Sequence, residues 1–205
     1  RKSLGFELAK ENKISADVVV PIPDSGVSAA LGFSQKSSIP FELGIIRSHY
    51  VGRTFIEPSQ TIRQFGVKLK HSVNRSCIED KRVILIDDSI VRGTTASKIV
   101  KMVYEAGAKE VHLGISCPPI KHPDFYGIDT PNYNELIASK SSIEEMTKLV
   151  GAKSLFFLSL NGTYKAMGYN ERNKELPQFT DHCFTGDYPI DISEILKINS
   201  YNASR

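Results

Sequence analysis

Two acidic residues, followed by hydroxyl residues and a glycine, end an apolar stretch in the middle of the chain. Residues 83–86 are apolar and run directly into Asp87 and Asp88, and residues 89–95 read Ser-Ile-Val-Arg-Gly-Thr-Thr. This order predicts a buried parallel strand, and open α/β sheets bind ligands at the carboxyl edge of such strands. Adjacent carboxylates suit sugar hydroxyls or a hard cation such as Mg²⁺, whereas N–H groups at a loop before a helix attract phosphate. The segment therefore predicts a site for a phosphorylated sugar.

A second strand-loop-helix unit lies near the beginning of the chain. The apolar run 18–22 stops at Pro23, and Asp24, Ser25 and Gly26 then precede a helical stretch. A glycine that takes positive φ, with N–H groups facing outward, forms an anion nest, and the serine adds a hydroxyl donor or weak metal ligand. A plain turn between strand and helix explains the segment equally well when it is considered alone. Beside the acidic strand, we expect it to bind a second anionic group.

The stretch 47–82 is basic, with eight Lys or Arg against three acids and two His. Residues 47–56 mix glycine, hydroxyls and cations without a period of 2 or 3.6, which predicts a mobile loop. A solvated surface also explains such a stretch, and composition alone favours that interpretation. A ligand with several phosphates needs cations of this kind, however. Lys70 and Arg75 are weaker candidates for phosphate contacts.

Apolar periodicity predicts the remaining elements and an α/β fold. The predicted helices lie at about 3–12, 62–73, 96–106, 135–138, 143–150 and 159–167, and the predicted strands at 41–46, 111–116 and 154–158. Alternating strands and helices predict a mainly parallel open sheet with helices on both faces. Beyond Gly168 the pattern fades. We therefore divide the chain into a domain, residues 1–168, and a C-terminal extension, residues 169–205, that packs on the domain or on a partner domain.

The bulk composition excludes some classes of function. The net charge of +3 in 205 residues is too small to indicate nucleic-acid binding. No apolar run approaches the roughly 20 residues that span a bilayer, so no membrane role is expected. The cysteines Cys77, Cys117 and Cys183 are widely spaced and odd in number, which predicts reduced thiols and a cytoplasmic location. The chain begins without Met, as a piece of a longer protein would.

These motifs resemble those of a known family of enzymes. Residues 83–95 resemble the 5-phosphoribosyl 1-pyrophosphate (PRPP) motif of type I phosphoribosyltransferases, with a hydrophobic strand, two acids and a small Thr/Gly loop. The amino-acid sequence of residues 87–95 is similar to that of the amidophosphoribosyltransferase family. The sequences of residues 23–26, 50–55 and 126–129 resemble the same family. The resemblance runs from about residue 4 to about residue 189. It implies the type I phosphoribosyltransferase fold, with a mobile loop that closes over PRPP.

The resemblance also implies a reaction and a set of site residues. Ammonia attacks C1 of PRPP and displaces pyrophosphate, which gives 5-phosphoribosylamine in the first step of de novo purine synthesis. Mg²⁺ is the implied cofactor, and its ligands and the ribose contacts come from Ser25, Asp87 and Asp88. The implied 5-phosphate site consists of Ser89, Arg92, Gly93, Thr94 and Thr95. The implied pyrophosphate contacts are Asp24, Ser25, Gly26 and Arg53. Arg53 is also the first choice for a catalytic residue in the closing loop, with Tyr50 and Thr54 as weaker choices.

The resemblance carries expectations about partners and cofactors as well. Family members have an N-terminal glutamine-hydrolysing domain with a catalytic cysteine, and no cysteine here matches it, so we expect this chain to use free ammonia and not glutamine by itself. Some members bind a [4Fe-4S] cluster through four cysteines. Cys183 matches one ligand position, but Asp124 stands where another cysteine is expected, so no cluster is expected. Purine nucleotides are the implied inhibitors, and a homo-oligomer is the implied assembly.

Two other hypotheses stay open at this point. A base-salvage phosphoribosyltransferase would need a hood that stacks and hydrogen-bonds a purine or pyrimidine, and the sequence shows no clear one. A PRPP- or nucleotide-sensing module without turnover would bind the same ligands but release no pyrophosphate. Pyrophosphate release in the presence of ammonia distinguishes these hypotheses.

Overall fold

A four-stranded parallel sheet forms the centre of the structure. The computed structural model describes residues 1–48, 71–128, 130 and 132–193. The strands in these residues are β1 (Val18–Pro21), β2 (Ile45–Arg47), β3 (His71–Val73), β4 (Arg82–Asp87), β5 (Glu110–Ile115) and β6 (Ser154–Phe157). The order in the main sheet is β1-β4-β5-β6, and every neighbouring pair in it is parallel. Strands β2 and β3 form a separate antiparallel pair.

Helices connect the strands of the main sheet. Those in the described residues are α1 (Lys2–Glu11), α2 (Val27–Ser37), α3 (Arg75–Ile78), α4 (Thr94–Glu105), α5 (Ile137–Lys140), α6 (Ile143–Val150), α7 (Leu160–Ala166) and α8 (His182–Thr185). Helix α6 begins with a capping box, in which the side chains of Ser142 and Glu145 each accept a hydrogen bond from the backbone N–H of the other residue. Gly151 follows it at φ 75°, a left-handed conformation that glycine adopts readily.

Strand β4 separates two apolar cores. Its side chains alternate between the faces of the sheet, so that Val83 and Leu85 belong to one core while Ile84 and Ile86 belong to the other. Residues of α4 and α6 fill the first core, and residues of α1 and α2 fill the second. The predicted parallel sheet with helices on both faces is confirmed, and it explains why β4 is apolar throughout its centre.

The pairing of β1 with β4 sets the position of the candidate site. Val18 lies opposite Val83, and Pro21 lies opposite Ile86. Because the two strands are parallel, the loop after β1 and the loop after β4 leave the sheet at the same edge. Both predicted ligand-binding loops therefore lie side by side, although about 60 residues separate them in the chain.

Most predicted elements are present, and two differ in extent. The predicted strand at 41–46 is instead an isolated bridge of Phe41 to Val19, followed by β2. The peptide groups around Phe41 use the free edge of β1, since Val19 N–H donates to the Pro40 carbonyl and Glu42 N–H donates to the Val19 carbonyl. The helix predicted at 62–73 is not found at the C-terminal end of that segment, because Val73 lies in β3 and pairs with Ile45 in an antiparallel ladder. Residues 62–70 lie outside the described residues.

Polar contacts attach the described part of the C-terminal segment to the sheet domain. Asp181 accepts hydrogen bonds from Tyr164 Oη in α7 at 2.7 Å and from Arg172 Nε at 2.6 Å. Tyr188 Oη donates to the Pro123 carbonyl at 2.8 Å. These contacts hold residues up to 193 against the domain, whereas the boundary at Gly168 stays a prediction.

Candidate active site

The loops after β1 and β4 are joined by a hydrogen bond. Ser25 Oγ donates to Asp87 Oδ1 at 3.1 Å, across 62 residues of sequence. The backbone of Gly26 packs directly on the end of β4, since a Cβ atom at this position would lie 2.2 Å from the Ile86 carbonyl oxygen. The prediction that Gly26 takes positive φ is wrong, because its φ is −77°. Close approach of the two loops, and not a left-handed turn, explains the glycine.

Asp87 has a raised proton affinity. Its side chain is partly buried, and this removal from water raises its pKa to about 7. The backbone N–H of Asp88, at 2.8 Å, and the Ser25 hydroxyl oppose the shift, whereas the nearby Asp88 carboxylate adds to it. A cation or sugar hydroxyls placed against Asp87 would favour its ionised form. The carboxylate is therefore poised to bind a positive or hydrogen-bond-donating ligand.

The loop after β4 presents unused hydrogen-bond donors. Within the described residues, no backbone N–H from Ser89 to Ala96 donates a hydrogen bond. Gly93, at φ 76°, turns the chain into the 12-residue helix α4, whose positive dipole end faces the same loop. A cavity of about 280 Å³ is lined by Asp87 and by residues 89–96. Free N–H groups at a helix N-terminus favour the binding of an anion such as phosphate.

The structure brings most of the predicted PRPP residues to this cavity. Those that line it are Asp87, Ser89, Arg92, Gly93, Thr94 and Thr95. Ser89 Oγ donates to Asp88 Oδ1 at 3.2 Å. Arg92 forms an ion pair with Glu135 at 2.6 Å, and this exposed pair borders a second cavity of about 530 Å³. A phosphate bound to Arg92 would therefore compete with Glu135 for the guanidinium.

Two further cations contact the site. Arg1 Nη1 lies 3.1 Å from both the Ser25 carbonyl oxygen and Asp88 Oδ2. Arg47 Nη1 lies 2.6 Å from Asp24 Oδ2. Sequence reasoning counted Arg47 within the basic stretch and gave it no place at the site, and nothing in the pattern around Arg1 indicated its contact. Both cations balance acids that would otherwise repel an anionic ligand.

Other predicted residues lie elsewhere. Arg75 is in α3 and forms an ion pair with Glu79 at 2.7 Å on an exposed surface. The predictions for Tyr50, Arg53, Thr54 and Lys70 fall outside the described residues.

The region that contains both loops matches a known domain family. The model of the "Phosphoribosyl transferase domain" family matches residues 4–126. The chain belongs to this family. Its similarity extends further in individual relatives, since it is 64% identical over 190 residues to the amidophosphoribosyltransferase of Rhizobium etli and 53% identical over 192 residues to that of Bacillus subtilis. The predicted resemblance to amidophosphoribosyltransferases is confirmed.

A solved structure of a relative confirms the fold. The chain superimposes with a TM-score of 0.84 and 51% identity on a glutamine PRPP amidotransferase from B. subtilis complexed with ADP and GMP. The match covers 94% of this chain and 42% of that one. The R. etli and B. subtilis relatives are longer than this chain too. The match to the R. etli protein includes 92% of this chain but 38% of that protein, and the match to the B. subtilis protein includes 94% of this chain but 40% of that protein. The chain thus spans about two fifths of the length of these relatives. It has the type I phosphoribosyltransferase fold.

The prediction of reduced thiols agrees with the structure. Cys77, Cys117 and Cys183 are all free. In the part of the chain that the structure describes, no helix combines the length and the apolar character that crossing a membrane requires.

Proposed function

We propose that this chain transfers ammonia to C1 of PRPP and releases pyrophosphate and 5-phosphoribosylamine. The observation that carries the proposal is the hydrogen bond between Ser25 and Asp87, which joins the two loops beside a run of unused N–H donors. A ligand with a phosphate at one end, a sugar in the middle and a pyrophosphate at the other end matches this order of groups. The similarity to amidophosphoribosyltransferases supports the choice of ammonia as the nucleophile.

The proposed roles follow from the positions of the side chains. The N–H groups of residues 89–96 and the hydroxyls of Thr94 and Thr95 bind the 5-phosphate, because they line one cavity at the start of α4. Asp87 and Asp88 accept hydrogen bonds from the ribose hydroxyls. The loop at residues 24–26 binds the pyrophosphate, with Arg47 balancing Asp24. Catalysis by such a site rests on positioning and on electrostatic stabilisation of the leaving group.

Mg²⁺ fits the donors at this edge of the sheet. Carboxylate and hydroxyl oxygens are the ligands that Mg²⁺ prefers, and Ser25, Asp87 and Asp88 supply such oxygens. The raised pKa of Asp87 is a sign that this partly buried carboxyl lacks a counter-charge, which a divalent cation would supply. When bound, the ion would neutralise charge on the pyrophosphate. Ser25 and the two acids would hold and orient it.

Three further parts of the proposal concern partners and location. Purine nucleotides inhibit by placing their 5-phosphate in the same loop, which the ADP and GMP in the B. subtilis relative support. A glutamine-hydrolysing domain supplies the ammonia, which the greater length of the relatives supports. The catalytic roles of Arg53 and Tyr50, the homo-oligomer and the cytoplasmic location stay predictions.

The test is an assay of pyrophosphate release with PRPP and Mg²⁺. We expect release with ammonium salts and none with glutamine as the sole nitrogen source. Adenine, guanine and hypoxanthine serve as alternative acceptors. Release with a base but not with ammonia would assign the chain to base salvage. Tight binding of GMP without release under any condition would identify a sensing module and overturn the proposed activity.

A further inference from the structure

A buried acid and histidine lie against a cysteine on the side of the domain formed by residues 121–128 and 181–188. Asp124 Oδ2 and His182 Nε2 are 2.7 Å apart, and their side chains are 3% and 4% exposed. One ligand atom each from Asp124, His182 and the partly buried Cys183 lie within 4.8 Å of one another. An oxygen, a nitrogen and a sulfur donor thus converge in one place. None of the three takes part in the proposed transfer reaction.

The surrounding structure holds the three donors in position. Asp124 Oδ1 accepts hydrogen bonds from the backbone N–H groups of Tyr126 at 2.8 Å and Ile128 at 2.9 Å. The other carboxylate oxygen, Oδ2, is directed at the histidine. The carbonyl of Cys183 accepts the N–H groups of Lys121 at 2.9 Å and His122 at 3.1 Å. Both segments are therefore fixed by backbone hydrogen bonds, so that a ligand arriving between them would find the donors already placed.

Aromatic rings enclose the imidazole of His182. The ring of Tyr126 contacts it edge-on at 5.1 Å between centroids, and the ring of Tyr188 lies 5.0 Å away at 31°. Within the described residues, His182 Nδ1 is buried and has no hydrogen-bond partner. A buried polar atom without a partner destabilises the fold. The hydrogen bond from Nε2 to Asp124 thus leaves the buried imidazole incompletely satisfied at Nδ1.

We propose that Asp124, His182 and Cys183 bind a single divalent transition-metal ion, of which Zn²⁺ is the best match. A set with one oxygen, one nitrogen and one sulfur donor is too soft for Mg²⁺ and contains too few thiolates for an iron–sulfur cluster, whereas zinc takes all three ligand types. Two ligands of a tetrahedral zinc ion lie roughly 3.3 Å apart, from metal–ligand distances of about 2.0 Å. Asp124 and His182 need to separate by only a fraction of an ångström, and the ion replaces the proton that they share. Water completes the coordination.

The bound ion would join two segments that are far apart in sequence. Residue 124 follows β5 and residues 182–183 lie in the C-terminal segment, so coordination stabilises the attachment of that segment to the domain. Binding to the folded form raises the melting temperature in proportion to the logarithm of metal concentration. The three donors are not among the residues proposed to bind PRPP or Mg²⁺, so metal binding here is independent of the transfer reaction.

The experiment is titration of metal-free protein with Co²⁺ and Zn²⁺, with the transfer substrates absent. We expect one Co²⁺ per chain, a thiolate-to-cobalt charge-transfer band, and displacement of Co²⁺ by Zn²⁺. The variants Cys183→Ser and His182→Gln are expected to weaken Zn²⁺ binding at least about tenfold, and Cys183→Ser to abolish the band. The control Cys77→Ser, in α3, should leave both unchanged.

A second measurement needs no variant. Zn²⁺ should protect Cys183 from alkylation in the unmodified protein, as read by mass spectrometry, while Cys77 reacts at the same rate with and without zinc. Absence of the cobalt band would overturn the proposal. So would equal Zn²⁺ affinity of the Cys183→Ser and parent proteins, or alkylation of Cys183 that zinc does not slow. Mg²⁺ in excess should not compete.

Discussion

Asp87 and Asp181 are both acids removed from water, and the protein treats them in opposite ways. Burial raises the pKa of Asp87 to about 7, with only a hydroxyl and one backbone N–H to oppose it. Burial also disfavours the charge of Asp181, but hydrogen bonds from Arg172 and Tyr164 outweigh it and hold the pKa of Asp181 below its usual value. One acid therefore has its counter-charge within the fold, and the other does not.

The difference separates a structural cluster from a ligand site. Around Asp181 the donors are matched by acceptors, since Arg172 also pairs with Asp187. Around Asp87 the loop at residues 89–96 offers N–H donors that no described residue accepts. A fold stabilises itself by satisfying its polar groups, so a group of unsatisfied donors and acceptors at a sheet edge indicates where a ligand binds.

Removal of the structural acid should have the largest effect. Asp181→Asn leaves Arg172, whose side chain is 12% exposed, without a full counter-charge. We expect the free energy of unfolding to fall by about 3–5 kcal/mol, as for other broken buried ion pairs. Urea denaturation measures it. The control Asp80→Asn changes an acid that is 83% exposed and should shift stability by no more than about 0.5 kcal/mol. Equal effects of the two substitutions would contradict a structural role for Asp181.

Neutralising the site acid should instead remove activity. In Asp87→Asn the ribose and the cation lose a charged acceptor, and we expect ammonia-dependent pyrophosphate release to fall about a hundredfold, the size of one lost electrostatic contact to a transition state. Steady-state kinetics with PRPP measure the loss. The variant Asp191→Asn, an acid near the C-terminal end of the described chain, is the matched control and should keep full activity. Full activity in Asp87→Asn would remove Asp87 from the site.

The same substitution should stabilise the fold in a pH-dependent way. The pKa of Asp87 is about 7 in the folded protein, against 3.8 for an aspartate side chain in water. The folded form thus binds the proton more tightly, and stability contributed by Asp87 is present below about pH 4 and lost as pH rises to about 7. We expect Asp87→Asn to be more stable than the parent at pH 8 and equal to it near pH 4. The measurement is the difference in the free energy of unfolding between the variant and the parent protein. If this difference does not change with pH, burial does not raise the pKa of Asp87.

The contact between the two loops can be disturbed without touching a charge. Gly26→Ala places a methyl group 2.2 Å from the Ile86 carbonyl oxygen, and backbone must move to accommodate it. We expect a loss of about 1–3 kcal/mol in the free energy of unfolding, together with weaker PRPP binding. Ser28→Ala, on the exposed face of α2, is the control and should change stability by less than about 0.5 kcal/mol. A fully stable Gly26→Ala protein would mean that the loops are not in close contact.

The smallest effect is expected at the edge of the site. Glu135→Gln breaks an exposed ion pair with Arg92, so stability should change by at most about 1 kcal/mol. The freed guanidinium should raise the affinity for ribose 5-phosphate by up to about fivefold, because about 1 kcal/mol of binding free energy corresponds to roughly that factor. Calorimetry measures the affinity. Glu144→Gln in α6 should have no effect, and an unchanged affinity in Glu135→Gln would mean that Arg92 does not reach the phosphate.

The sequence was sufficient for the sheet and for the residues of its two loops. The apolar run before Asp87 predicted β4 because a strand buried on both faces must be continuously apolar. Gly26 was predicted to lie in the loop after β1, as it does, but for the wrong reason, because a close approach between two segments cannot be detected in the local sequence pattern. The ion pairs of Arg1 and Arg47 were missed for the same cause, because each joins residues that only the completed fold brings together.

The C-terminal segment shows a second limit of sequence reasoning. Hydrophobic periodicity fades after residue 168 because that segment is held by Arg172, Asp181 and Tyr188 and not by an apolar stripe. Polar networks have no period that a sequence window can detect. The convergence of Asp124 with His182 belongs to the same class, since their separation of 58 residues conceals the contact.

The parallel pairing of β1 with β4 has a consequence for how the protein acquires activity. Val18 and Val83 must meet across 65 residues of chain, and closing such a loop costs entropy before any contact compensates for it. The hydrogen bond from Ser25 to Asp87 depends on that pairing. Helices and hairpins can form locally, but the loop at residues 24–26 lies beside Asp87 only after this long-range step. Binding of a phosphorylated ribose would therefore be a sensitive reporter of refolding, because it detects the completed topology and not merely the presence of secondary structure.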